Sequence, residues 1–305
     1  MNLDMKMGLK GRYTITVRKA ADESVVRELA FDNLITDSGL NRWGSGAVGT
    51  ECRVGSGTTA PSVSDNALAS QVAVTSTAAP DNTYTYAHNA TGNGSITVSR
   101  AFRFNAGVAA GTLAEVGIGW ATGLFSRALI VDGGGTPTTI TILSDEILDV
   151  RYTLQVNMPA DVTGSVSIGG TSYSYTIRPC NIDGGTTSQF TTTWFINAIG
   201  GYTGQQNMAV YSGAIGTITQ YPSGTQTNGG VDLSVAAYSN NSKQRTVTYT
   251  APVIVFNTTF RSMEFGLMGG NNTWFTRFQI DFGASITKTN AQVFSLTFTF
   301  SWDRV

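Results

Sequence analysis

The chain has 305 residues, enough for two ordinary domains or one large β domain. Only 13% are charged, against about 25% in globular proteins generally, while 41% are hydrophobic and 10% aromatic, ample for a core and too many for a disordered chain. The formal net charge of −1 offers no electrostatic case for binding nucleic acid or an anionic membrane.

In chain order, the first segment, "MNLDMKMGLKGRYTITV", lacks an apolar signal core. With no run approaching 18 apolar residues elsewhere, neither a secretion signal nor a membrane span is expected. "RYTITVRK" alternates, with Tyr13, Ile15 and Val17 on one face, and "SVVREL" can return beside it. Residues 1–42 hold 13 of the 39 charged side chains. Such a stretch is either a solvated surface or a docking face. "ITDSGLNRW" can form one helical turn, and "SVSDNALASQ" another, capped by Ser64 or Asp65. From Thr83 onward nearly everything reads as strand and turn. "SVSIGGTSYSYTIR" is a hairpin whose Gly169-Gly170 pair supplies the positive φ of a two-residue turn. The fold class is therefore all-β.

The chain also resembles itself. "AEVGIGW" (114–120) matches "MEFGLMG" (263–269), and "FSRALI" (125–130) and "FTRFQI" (275–280) follow ten or eleven residues after each Glu. Upstream, "FDNLI" (31–35) parallels "PCNI" (179–182), and "VGSG" (54–57) parallels "VYSG" (210–213). The pieces keep their order in both halves. This predicts an internal duplication into two tandem β-sandwich domains, 1–158 and 159–305, meeting near Pro159. Register arguments place Glu115 opposite Arg127 across a turn near Ala121 or Thr122, and Glu264 opposite Arg277 across the "GGNN" turn at 269–272.

Residues able to do chemistry are sparse. Cys52 and Cys180 form neither a disulfide framework nor a metal-ligand spacing and read as free, reduced thiols. His88, the single histidine, lies in polar "TYAHNAT" with no nucleophile signature nearby. "VGSGTTA" (54–60) has the glycines of a phosphate loop but lacks its lysine, so a turn is expected. "DGGG" (132–135) is also a turn rather than a calcium loop. Asp145-Glu146 are sequence neighbours, which point apart within a strand, and Glu115 and Glu264 fall in separate repeats, so no paired-carboxylate hydrolase is indicated. Trp43, Trp120, Trp194, Trp274 and Trp302 mostly fit core positions. Tyr202, Tyr211, Tyr221 and Tyr238, in Gly/Asn/Gln-rich stretches, are better candidates for a surface that stacks on sugars. No catalytic, cofactor-binding or metal-binding residue is assigned, and no cofactor is expected.

The segments "GRYTITVRKAADESVVRELAFDNLITDSGLNRWG" (11–44), "VGSGTTAPSVSDNALASQV" (54–72), "EVGIGW…LFSRALIVDGGGTPTTITILSDEILDVRYTLQV" (115–156) and "DVTGSVSIGGTSYSYTIRPCNI" (161–182) resemble tail-associated structural proteins of tailed bacteriophage virions, of the fibre, appendage-anchor or tail-tip type. That resemblance implies a non-enzymatic protein that assembles with copies of itself in the host cytoplasm, docks to other tail or head proteins and ends in the virion tail. An adaptor, a collar- or sheath-like ring and a fibre all fit. The alternatives are a capsid decoration or head-fibre protein, and a tail module that binds a host receptor or surface glycan. Since His88 has no nucleophile signature near it, a His88→Ala chain is expected to fold and assemble as the parent does, read by circular dichroism and by the yield of infectious particles; folded but inactive particles would revive an enzymatic role.

Overall fold

A computed structural model describes residues 2–80, 85–182, 204–269 and 273–305. As the composition predicts, it is built of strands, with one short helix among the described residues. The first half of the chain runs through β1 (Asn2–Lys19), β2 (Val25–Asp32), β3 (Leu34–Ile35), α1 (Asp37–Trp43), β4 (Glu51–Gly55), β5 (Gln71–Thr75), β6 (Thr85–Asn89), β7 (Ser95–Phe104), β8 (Gly111–Leu113), β9 (Glu115–Trp120), β10 (Gly123–Leu129), β11 (Ile140–Ile142) and β12 (Glu146–Asn157). The second half adds β13 (Val162–Ile168), β14 (Thr171–Cys180), β15 (Gly204–Tyr211), β16 (Gln226–Val235), β17 (Gln244–Ala251), β18 (Thr259–Gly269), β19 (Thr273–Thr287) and β20 (Phe294–Arg304).

The chain divides into two compact units. An N-terminal unit holds residues 9–87, 97–155 and 304–305, and a C-terminal unit holds 1–8, 88–96 and 156–303. Neither is a continuous piece of chain, and the boundaries fall inside β1, β6, β7, β12 and β20. The hydrogen-bonded ladder is likewise continuous, in the order β13-β14-β19-β18-β15-β16-β17-β20-β1-β12-β7-β6, with β2 joined to β1.

In the N-terminal unit, β1 and β2 form the expected hairpin, with Tyr13 opposite Phe31 and Thr14 opposite Ala30. The alternation of "RYTITVRK" buries Tyr13, Ile15 and Val17 completely. Facing them is a second sheet, β3-β10-β9-β4-β5. The Tyr13 hydroxyl lies 2.6 Å from Ser126 Oγ, and the Tyr152 ring lies 5.0 Å from Tyr13 and 6.1 Å, edge-on, from Phe125. Two sheets thus bury one aromatic layer between them. The helix α1 forms where expected: Thr36 caps it, accepting from the Gly39 N–H at 2.9 Å and donating to the Leu124 carbonyl at 2.6 Å. Gly39 is required by contact, since a Cβ there would lie 2.4 Å from the Phe125 carbonyl oxygen. "SVSDNALASQ", by contrast, forms turns and not a helix. Asp65 does accept from the Ser62 N–H at 2.8 Å, but its carboxylate is drawn into a long-range ion pair and no helix follows.

In the C-terminal unit the ladder doubles back so that β18 and β19 face β17 and β20. The Phe265 ring stacks on Phe298 at 4.0 Å and on Phe278 at 5.7 Å, with Tyr249 edge-on to both Phe265 and Phe298. A second group joins Phe260, Phe282 and Phe294 at 5.5–6.2 Å. The β13–β14 hairpin turns at Gly169-Gly170, with φ +59 and +83, the pair of positive values that only glycine adopts without strain.

The strand order β3-β10-β9-β4-β5 of the first half reappears in the second as β14-β19-β18-β15-β16. The first four strands of each series carry the matched strings. The central ring of the C-terminal core also gives a direct test: replacing Phe265 with Ala removes two stacked partners, and a loss of about 3–5 kcal/mol is expected in denaturant unfolding. A change below about 1 kcal/mol would mean that this aromatic layer is not close-packed.

Candidate functional site

A dense polar arrangement is built on each of the two repeated hairpins. Glu115 opens β9 and Arg127 lies on β10. The pairing differs from the expected register by two residues: Arg127 stands opposite Gly117, and Leu129 opposite Glu115, with a bulge between Leu124 and Ser126. The second hairpin shows the same slip, with Arg277 opposite Gly266 and Gln279 opposite Glu264. Glu and Arg are therefore diagonal neighbours in both. Diagonal positions lie about 7–8 Å apart at Cα, well within reach of an arginine.

Arg127 Nε donates to Glu115 Oε2 at 2.8 Å, and the two side chains are 3% and 0% exposed. Such a pair is tolerated in a core only when its remaining polar atoms are satisfied, and here they are. The Gly57 N–H (3.1 Å) and the Ser70 N–H (2.7 Å) donate to Glu115 Oε1, and the Ala69 N–H (3.0 Å) donates to Oε2. Arg127 extends the other way, to Asp65 Oδ2 at 2.6 Å and to the Thr59 carbonyl at 2.8 Å. The pair thereby holds the 56–70 loop at its two ends and its middle. Burial opposes the Asp65 charge, but the Ser62 amide and Arg127 outweigh it and hold the Asp65 pKa below the ordinary carboxylate value. Burial likewise works against the Arg127 guanidinium, and Asp65 and Glu115 overcome it, raising its pKa.

This arrangement also accounts for the glycine-rich "VGSGTTA" loop. The Gly57 amide meets a carboxylate supplied by the chain itself. A Cβ on Gly57 would lie 2.4 Å from Glu115 Oε1, so glycine is needed there for close approach, as in a phosphate loop, but the anion is internal.

The C-terminal clamp has the same plan with different parts. Arg277 pairs with Glu264, whose Oε2 also accepts from the buried Tyr211 hydroxyl at 3.0 Å. The pair is more open, Arg277 being 33% exposed and Glu264 9%. Gln279 has taken over the loop: its Nε2 donates to the carbonyls of Thr217 (2.8 Å) and Pro179 (3.1 Å), and its Oε1 accepts from the Gly216 N–H at 2.9 Å. Tyr221 lies under Arg277, 5.8 Å from ring centre to guanidinium, and Asn181 donates to its hydroxyl at 2.9 Å. From the sequence Asp65 was singled out only as a helix cap, and Gln279 not at all. Asp65 carries the signature of a helix cap, and Gln279 occupies the place that Leu129 has in the first half, so nothing repeats there.

The remaining candidates are dispersed. Cys52 and Cys180 are free and buried, and burial pushes both thiols well above their ordinary pKa. Glu146 is buried against Arg27 while Asp145 is exposed in the preceding turn, so the two do not form a pair. Asp132 closes its own turn by accepting from the Gly134 and Thr136 amides, both at 2.9 Å. Trp43 and Trp302 are buried, and Trp302 stacks on Tyr238 at 6.1 Å. Trp120 is half-buried, with Arg42 over its ring. Tyr221, at 41% exposure, is the most exposed tyrosine among the described side chains. His88 lies on β6, but its side chain and that of Trp274, together with Trp194, Tyr202 and the turn at 270–272, lie outside the described residues. Among the described residues no three His, Cys, Asp or Glu side chains come together as metal ligands, and no helix is long and apolar enough to cross a membrane.

Comparison of the chain with protein-family models, curated proteins and solved structures finds no match.

Asp65 makes the clamp sensitive to acid. A carboxyl whose folded pKa is depressed stabilises the fold above its unfolded pKa of about 3.9 and loses that contribution as pH falls through the lower folded value. An Asp65→Asn chain is therefore expected to be less stable than the parent at pH 7, with the difference shrinking below pH ~4, followed by urea unfolding across pH. A difference independent of pH would remove the ion pair from this account.

Proposed function

We propose that this protein is a structural component of a bacteriophage virion, associated with the tail as an adaptor, a collar- or sheath-like ring or a fibre, and that it assembles with copies of itself and docks to other tail proteins. The observation that carries the reading is the saturation of Glu115. Its four hydrogen bonds occupy the lone-pair sites of a carboxylate, so it cannot accept a substrate proton without releasing the 56–70 loop. This buried polar group thus locks a scaffold.

Three further features agree with this reading. The repeated strand order supports an internal duplication, each copy a β-sandwich in plan. The ends of the ladders present strand edges with exposed valines, Val25 (54%) and Val26 (41%) on β2 and Val72 (43%) and Val74 (45%) on β5. Such edges are suited to being covered in an assembly. The segments that resemble phage tail proteins, 11–44, 54–72, 115–156 and 161–182, include both the Glu115–Arg127 hairpin and the loop it holds.

The decisive measurement is a reconstruction of the intact particle. Density for this chain repeated by symmetry on the tail is the expected result. Density on the head shell would favour a decoration or head-fibre role, and absence from the purified particle would overturn a virion role altogether.

A further inference from the structure

β1 is one uninterrupted strand, yet its two halves belong to different units: residues 1–8 to the C-terminal unit and Leu9 onward to the N-terminal unit. The first half is amphipathic. Leu3, Met5 and Met7 are 0–1% exposed, while Asp4 and Lys6 between them are exposed. It adds to β20 as the last strand of the C-terminal unit's ladder, with Ser301 Oγ donating to the Met5 carbonyl at 3.5 Å.

The N-terminal unit shows what that position should hold. Its own first strand, the second half of β1, is paired on both sides, by β2 and by β12. The strand in the matching place of the C-terminal unit is β13, which opens the second half and forms a hairpin with β14 as β1 does with β2. Among the described residues β13 pairs with β14 alone and ends the ladder, and β20, which follows the repeated hairpin as β12 does in the first half, is flanked by β17 and by residues 2–8. Among the described residues, the continuous part of the C-terminal unit therefore pairs β20 on one side only, through β17, and residues 2–8 fill the other side. It is completed by a segment separated in sequence from the rest of the unit.

We propose that residues 2–8 are a donated strand, which in the assembled protein completes the C-terminal unit of a neighbouring copy. Because the acceptor is the same sequence in every copy, exchange can bury Leu3, Met5 and Met7 as a single chain does, at the cost of association entropy and of a bend in β1 near residues 8–9, and element swapping of this kind is a low-cost route to oligomers. Donation is directional, since each copy gives a strand at one end and receives one at β20. Successive copies are then linked head to tail, and they close into a ring or extend as a filament according to the rotation between neighbours. This inference rests on the self-assembling role proposed above and names the surface that role would use.

The test uses the full chain without substitution. Equal amounts of unlabelled and nitrogen-15-labelled protein are unfolded together, refolded, assembled and treated with an amine-reactive cross-linker. Lys6 is exposed on the donated segment; Lys243 accepts the Trp302 N–H through its carbonyl, which places it beside β20, and its side chain is half-exposed. If the strand is donated, about half of the Lys6–Lys243 cross-linked peptides from the oligomer carry one light and one heavy partner. Oligomers in which these peptides are only light–light or heavy–heavy overturn the exchange and leave self-assembly standing. A chain that is monomeric at every concentration overturns both.

Discussion

The carboxylate of Glu115, fully buried, is the constraint on which much of the N-terminal unit turns. A lone carboxylate at that depth would be strongly disfavoured, so its burial requires a cation and several N–H donors. Arg127 supplies the cation from the adjacent strand, and the donors come from the backbone of the 56–70 loop. A segment rich in Gly, Ser, Thr and Ala has little apolar surface with which to dock. It is ordered because it satisfies a charge that is already present in the sheet, and Asp65 then closes the network on Arg127 from the loop side.

The second half solves the same problem with less charge. Its Glu–Arg pair is partly open, and a neutral amide, Gln279, makes the loop contacts through both ends of its side chain. A neutral donor–acceptor costs less to desolvate than an ion, so the loop is held without a fully buried guanidinium. Below the clamp the two units differ in the same spirit. One core is organised around tyrosines whose hydroxyls reach polar partners, as Tyr13 reaches Ser126, and the other around stacked phenylalanines. A common strand order evidently accommodates quite different interiors.

The charge concentrated in residues 1–42 divides between surface and interior. Arg12, Lys10 and Asp32 form an exposed cluster of the kind that adds little stability. Arg18 and Arg27, with Glu23 from the connecting turn, reach buried or half-buried partners: Arg18 meets Asp149, Arg27 meets Glu146, and Glu23 meets Arg103, which itself holds Asp149 through two bonds of 2.8 Å. These contacts fasten the β1–β2 hairpin to β7 and β12.

By itself the sequence determined what local stereochemistry controls. Period-2 alternation assigned the strands and the buried face of "RYTITVRK", Gly169-Gly170 specified a hairpin, "ITDSGLNRW" marked the helix, and the repeated strings located two equivalent hairpins with their Glu–Arg contacts. The register was legible only to within two residues, because bulges such as that between Leu124 and Ser126 leave no mark on a hydrophobic pattern. The tertiary structure alone decided the rest. Asp65 reads as a helix cap until a guanidinium 62 residues away competes for it, and Gln279 is one polar residue among many until the 212–225 loop meets it. Residues 2–8 alternate like any strand, and alternation states which face is buried but not beside which strand it lies. That choice depends on backbone hydrogen bonds between segments distant in sequence, which are chemically alike for every strand and are selected only when the whole core is assembled.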